Sequence, residues 1–293
     1  IRLGSPGLDN FKYTSQGGRM TRTGQVEQGV MLPLDDGNAD ALKEAIWRGV
    51  LSRYDHAVEV WGQTRSQANV SVADEDKAGC FSEAPVEKYY EEPLPAAKRR
   101  IDMAAWQSRL DEISAVFKEL PELQQGMASL TFESSRTWFV NTEGSEIVQN
   151  RVAARIVLMA SLKADDGMEL PLNKDYFAFH PSDLPDNATI IADAQDMVSR
   201  LKALKSAPVA DPFTGPAILS GPASGVFFHE IFGHRLEGHR LKTGGQTFKK
   251  MVGGQVLPAE FAVYCDPTLS RYAGTDLNGH YLYDDEGVRG QRV

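Results

Sequence analysis

The chain has 293 residues, 42% of them hydrophobic and 24% charged, a composition that supports a sizeable folded core and excludes a disordered chain. Its formal net charge of −9 repels phosphates, and the Arg99-Arg100 and Lys249-Lys250 pairs are too isolated to form a basic patch, so no direct nucleic-acid contact is expected. Two cysteines, Cys80 and Cys265, make neither a disulfide framework nor a Cys-rich zinc module, and no apolar run approaches the ~18 residues of a membrane span.

The chain opens at Ile1 without a signal-peptide pattern and reads as an internal piece of a longer protein, with a cytoplasmic compartment expected from its lack of disulfides. Up to Asp36 it is rich in Gly, Arg, Thr and Gln, and Gly17-Gly18 marks a loop. Asn38 can cap a helix in which Leu42, Ile46, Val50, Tyr54, Ala57, Val58 and Trp61 recur at steps of three and four. A polar stretch from Ser66 to Glu83 and the prolines at 85, 93 and 95 give an extended connector. Asp102 opens a second helix, with Trp106, Leu110, Ile113, Phe117 and Leu120 on one stripe, which Pro121 ends.

Two β-rich runs, 135–144 and 145–151, join at Asn141 to Gly144 as a hairpin. Its second strand is long, with Val152, Ala154, Ile156, Leu158, Ala160 and Leu162 on one face and Arg155, Ser161 and Lys163 on the other. Asp193 begins a short helix bearing Met197, Leu201 and Leu204. The Pro- and Gly-containing segment 208–216 is the expected boundary. It separates an N-terminal α+β domain at 1–207 from the start of a truncated C-terminal domain at 208–293. Beyond it, 217–221 and 261–265 read as strands, Ser224 as a helix cap, and Asp284 to Gly287 as an acidic turn. The expected class is α+β: long antiparallel strands packed on helices, followed by the start of a second, mostly β domain.

The chemistry concentrates in Phe227 to Arg240, which holds His229, His234 and His239 together with Glu230 and Glu237. Two imidazoles and a carboxylate are what a zinc hydrolase needs, the nitrogens to hold the metal and the carboxylate to take a proton from water. His229 and His234, however, are five residues apart. On an ideal helix that is a turn of about 500°, leaving the two rings roughly 140° out of phase. Both can meet one metal only if the helix widens or breaks, and Gly233 is where a π-bulge or an early helix end could do so. A stripe of Glu230, His234 and Glu237 at steps of four and three offers an alternative, carboxylate-rich ligand set. The plainest alternative is a polar network inside an apolar core formed with Phe227, Phe228, Ile231 and Phe232. His56, His180 and His280 read as helix-edge or loop residues and His239 as an exposed residue after a helix end. Asp284, Asp285 and Glu286 lack the spacing of a calcium loop.

His-Glu-x-x-x-His followed by Leu236-Glu237-Gly238 resembles the signature of the TldD/PmbA family of metallopeptidases, on the TldD side. Gly4 with Leu8-Asp9-Asn10, the helix entered through Leu42, Phe139 to Gly144 and Tyr283 to Val288 are similar to family landmarks in the same order. The resemblance implies zinc on His229 and His234, Glu230 as general base toward a metal-bound water, and Glu237 in a supporting position behind the ligands. It implies hydrolysis of unfolded or extended peptides. It also implies a homodimer, or a heterodimer with a TldE/PmbA-like subunit. The family's third zinc ligand is a cysteine far downstream in a C-terminal domain, and it is not expected within this chain. Cys265 is not taken for it, because it follows an apolar run and reads as a buried structural cysteine. The alternative within the same family is a non-catalytic interaction protein of the gyrase-modulator type.

Overall fold

The computed structural model describes residues 1–11, 29–33, 37–70, 81, 83–238 and 251–293. The loops expected at Gly17-Gly18 and Lys249-Lys250, together with Cys80 and His239, lie outside the described residues.

In chain order, β1 (Gly4–Ser5) and β2 (Leu8–Asp9) form a tight antiparallel hairpin. Next come α1 (Ala39–Val70) and β3 (Lys88–Tyr90), then α2 (Met103–Ala115) and β4 (Gln125–Val140). They are followed by β5 (Glu146–Lys163), β6 (Glu169–Ala178), α3 (Asn187–Lys205) and α4 (Gly221–Phe228). The two-residue strands β7 (Arg271–Tyr272) and β8 (Thr275–Asp276) pair near the end. The chain is therefore a mixture of sheets and helices compatible with α+β. No helix among the described residues is long and apolar enough to cross a membrane.

Contacts group the chain into two compact units, Ile1–Ala84 with Gly215–Ala262, and Pro85–Thr214 with Val263–Val293. In the first, Asp9 is fully buried, and its carboxylate accepts from Arg2 at 2.8 Å and from the Phe11 N–H at 3.0 Å. Asn10 accepts from the Leu3 N–H at 2.7 Å, so both polar landmarks are satisfied inside the hairpin rather than free for chemistry. Gly4 has φ +126°, and a Cβ there would stand 2.8 Å from Asp9 Cα, so only glycine fits. Asn38 caps α1 as expected, accepting from the Ala41 N–H at 3.0 Å, and the helix continues to Val70, into the first residues of the polar stretch expected from Ser66. Its apolar stripe is not covered by other described residues: Leu42, Ile46, Val50, Tyr54 and Val58 are exposed, whereas Ala57 and Thr64 are buried.

The second unit is built on β5, the central strand. β4 pairs with it along its whole length on one side, while β6 and the short parallel β3 share the other. The alternation read from sequence holds: Ala154, Ile156, Leu158, Ala160 and Leu162 are buried on one face. That face packs on Ile113 and Phe117 of the α2 region and on Ile190, Met197 and Leu201 of α3. Asp102 caps α2 by accepting from the Ala105 N–H at 3.0 Å. At the far end of the hairpin Gly287 has φ +75°, and a Cβ there would run into the Phe139 ring, so two landmark segments touch at a place only glycine permits.

Several expectations are corrected. α3 begins six residues before Asp193, because the Asp186 carboxylate accepts from the Thr189 N–H at 2.8 Å and so caps the helix there. β6 was not foreseen, its apolar signal being broken by Pro171, Asn173 and Lys174. The strands expected at 217–221 and 261–265 do not form. Residues 217–220 are exposed and pair with nothing described, and Cys265 makes only one reciprocal pair with Val293, at 2.9 Å each way. Cys265 itself is exposed, not buried. Within 208–293 the regular structure among the described residues is α4 with its continuation and the β7–β8 pair, so the expected mostly β character is not what they form. Helix α4 opens at Gly221-Pro222 after Ser220, three residues before the expected cap, Ser224, because proline's fixed φ suits a first turn.

Asp193 sits beneath the sheet edge, paired with Lys174 at 2.6 Å and accepting a hydrogen bond from Tyr176. Burial pushes its carboxyl up, but the hydrogen bonds and charge of Lys174 and Tyr176 outweigh this and hold it below the usual carboxylate range. The same burial and hydrogen bond raise the Tyr176 phenol well above its ordinary value. A carboxyl whose pKa is lower folded than unfolded contributes stability that is fully present above the unfolded pKa and lost as pH falls through the folded one. Asp193→Asn is therefore expected to cost about 1–2 kcal/mol at pH 7 in urea denaturation, with the difference from wild type shrinking as pH falls below about 4.

Candidate metal centre

The helix that begins at Gly221 changes its pitch at the residue that matters. His229–Gly233 form a π turn, and one final α turn, His234–Leu236, follows. The His234 N–H donates to the His229 carbonyl, five residues back, in place of the usual four. Widening the turn by one residue cancels the phase error of a five-residue spacing. The His229 and His234 rings consequently stand with centroids 4.5 Å apart at an interplanar angle of 76°. The distortion spans the whole motif and is not confined to Gly233, whose φ of −48° and ψ of −62° are ordinary. A Cβ on Gly233 would lie 3.7 Å from His229 Nδ1, a normal contact, so glycine is tolerated there but not sterically required.

Glu230 joins the pair. One ligand atom from each of His229, Glu230 and His234 lies within 4.8 Å of the other two. His229 Nε2 and Glu230 Oε1 are 4.0 Å apart. Glu237 takes a different position, its Oε1 2.8 Å from His234 Nδ1. A carboxylate only accepts, so that contact places the His234 proton on Nδ1 and leaves the Nε2 lone pair available. Of the two ligand sets open from sequence, the structure brings together His229, Glu230 and His234, with Glu237 bonded behind His234.

The setting is wetter than the sequence implied. The side chains of His229 and Glu230 are each 62% exposed, that of His234 41% and that of Glu237 35%. Of the four apolar residues expected to bury the helix, only Phe232 is buried; Ile231 is half-buried, and Phe227 and Phe228 are exposed. Phe228 stacks on Phe232 with centroids 5.8 Å apart, an apolar spine beside the polar cluster. A polar network enclosed in a core is therefore not what these residues form.

The remaining candidates fall elsewhere. His56 is exposed on α1, with Glu59 at 4.0 Å. His180 caps a short 3-10 turn through Ser182, and His280 bonds the Pro267 carbonyl at 2.9 Å. The Asp284 carboxylate accepts from the N–H groups of Glu286 and Val288, which makes the acidic turn a structural one. Cys265 is not among the converging donors.

Residues 213–293 match the family model of the PmbA/TldA metallopeptidase C-terminal domain. No curated protein matches the chain. The matched PmbA/TldA segment contains the whole histidine helix and supports a PmbA/TldD-type protein. It runs on through Cys265 and the acidic turn, which ties the landmark at Tyr283 to Val288 to the same segment.

The π turn makes a geometric prediction. The wild-type chain should show a ring-to-ring nuclear Overhauser contact between His229 and His234. Deleting Ile231 makes the spacing four, which an ordinary α-helix also places on one face, so the contact should persist. Inserting an alanine after Phe232 rotates His234 by about 100° and should abolish it. Absence of the contact in the wild type would contradict the π turn.

Proposed function

We propose that the protein is a zinc-dependent peptidase acting on unfolded or extended peptides, with His229 and His234 holding the metal and Glu230 as general base. The observation that carries this reading is the π turn, which sets two imidazoles five residues apart around the same space as a carboxylate. The donor chemistry fits: zinc takes neutral imidazole nitrogens and carboxylate oxygens, with ligand atoms about 3.4 Å from one another in a tetrahedral shell. His229 and His234 each already offer a ring nitrogen within 4.8 Å of the other and of the Glu230 carboxylate. Zinc, when bound, supplies a Lewis acid that polarises the scissile carbonyl and makes water a nucleophile near neutral pH.

The chain's own residues do the rest. Glu237 holds the Nδ1 proton of His234 and so directs its Nε2 outward. Glu230, adjacent to the histidines and open to solvent, takes the proton of the attacking water and returns it to the leaving amine. A centre carried on the face of a helix is reached by an extended backbone more easily than by a folded surface, which supports unfolded or extended segments as substrates. A homodimer, or a heterodimer with a TldE/PmbA-like subunit, belongs to the same proposal.

A second reading, a non-catalytic interaction protein, is favoured by the exposed apolar residues around the motif: Ile218 is fully exposed and Val226 and Phe227 are largely so. The two separate on one experiment. Elemental analysis of the full-length product, which would carry the third ligand, should give about one zinc per chain, lost in His229→Ala and retained in Glu230→Gln. Hydrolysis of an unfolded peptide should fall about 100-fold or more in Glu230→Gln. Absence of zinc from the full-length product after reconstitution, or unchanged hydrolysis in its Glu230→Gln variant, removes the peptidase reading and leaves the interaction protein.

A further inference from the structure

The sheet of the second unit is longer than the helices that cover it. On the face packed against α2 and α3, the core ends at the row of Phe132, Ala154 and Ala178. The same face runs on through Asn150 and Val148, because alternation along an unbroken strand keeps the even-numbered side chains of β5 together. β4 and β3 widen it. Trp138, Val148 and Tyr90 lie opposite one another in one row across three strands. Arg136 stands opposite Asn150 in the row before, and Val140 opposite Glu146 in the row after. Tyr90 is 61% exposed, Trp138 66% and Val140 73%. Large apolar side chains open to solvent in adjacent rows form a contiguous patch, not scattered single exposures.

Arg136 sits between the two aromatic rings. Its guanidinium carbon lies 5.3 Å from the Tyr90 ring centre and 5.2 Å from that of Trp138, within range of a cation–π contact with each. One nitrogen, Nη2, donates to the Glu91 carbonyl at 2.7 Å. Nε and Nη1 are buried without a hydrogen-bond partner, and the charge has no ion-pair partner among the described residues. The carboxylates at the border of the patch are taken. Glu91 accepts from the Tyr89 hydroxyl and from Asn150, and Glu146 lies 2.6 Å from Lys88 Nζ. Guanidinium donors left without acceptors are costly, and a carboxylate is the acceptor that their fork geometry matches.

We infer that this uncovered end of the sheet is a docking surface for another protein, one that presents a glutamate or aspartate flanked by apolar side chains. The apolar side chains pack on Trp138, Tyr90 and Val140, and the carboxylate pairs with Arg136. Trp138 is mostly exposed, so its ring can give way and open the Nε and Nη1 edge without disturbing the core. Trp, Tyr and Arg are the side chains that carry most of the energy at protein interfaces, and here all three adjoin. A second copy meeting this face with its own fits poorly. A two-fold contact sets Arg136 against itself, and neither Glu91 nor Glu146 is free to answer it. The surface lies wholly within the second unit and does not depend on the metal centre.

The test uses the full chain with Glu230→Gln, which keeps the probes intact. These are acetyl-Ala-Leu-Glu-Leu-Ala-amide, its glutamine counterpart and acetyl-Ala-Ser-Glu-Ser-Ala-amide. Binding is followed by NMR through the Arg136 Nε–H and the Trp138 indole N–H. Both signals should shift saturably with the first peptide, which should bind about tenfold tighter than the glutamine peptide and about fivefold tighter than the serine peptide. Arg136→Gln, read on Trp138, should bring the glutamate and glutamine peptides to within about twofold of each other. Arg136→Lys keeps the charge without the planar fork and should leave a preference of about threefold. No saturable shift of either signal would overturn the proposal, as would a glutamate preference that survives Arg136→Gln. Equal binding of the leucine and serine peptides would mark a bare anion site and overturn it too. Trp138 shifts that follow protein concentration without any peptide would assign the face to a second copy, with the same consequence.

Discussion

The second unit depends on one strand having two different faces and two different edges. β5 turns Ala154, Ile156, Leu158, Ala160 and Leu162 toward α2 and α3, and a one-residue slip against β4 would move all five to the wet side. Because β4 occupies one edge over its full length, the other edge is left for β3, β6 and the carboxylate of Glu91. At the far end of the hairpin Gly287 lets the C-terminal segment lie on Phe139, and along the other edge Val152 has no strand partner among the described residues.

The histidine helix obeys a different constraint. Its backbone exchanges an i to i−4 hydrogen bond for the i to i−5 bond from His234 to His229, a poorer local arrangement. What that exchange secures is the facing of two imidazoles, and a distortion of this kind inside a helix is the sort of local cost that functional sites carry. The Glu237 contact works in the same direction, since it selects the proton position on His234 that leaves a lone pair for a ligand. Neither feature improves the packing of α4, most of which is exposed.

Much of the fold was legible because short-range physics governs it. Asn38 and Asp102 cap their helices as their chemistry implies, and the period-two pattern of β5 marked its buried face. The failures are equally physical. The apolar runs at 217–221 and 261–265 look like strands, but a strand exists only where another pairs with it, and composition does not carry that information. Helix α3 starts at Asn187 and not at Asp193, because two aspartates in reach of the same helix can both serve as caps and only the folded backbone gives the Thr189 N–H to Asp186. The apolar stripe on α1 reads as core, yet its burial depends on what lies against it, and that is not written in the stripe.

At the candidate centre the division is sharp. The sequence by itself determined the residue types, the five-residue spacing and hence the requirement that the helix widen, since rotation per residue is a property of the backbone alone. Only the tertiary structure decided how the requirement is met: by a π turn across His229–Gly233, with Glu230 beside the rings, Glu237 bonded to His234 and the cluster open to solvent. Spacing is a local quantity that a chain carries wherever it goes. Exposure, partners and the vacant edge of a sheet are relations between distant segments, and they come into being only when those segments meet.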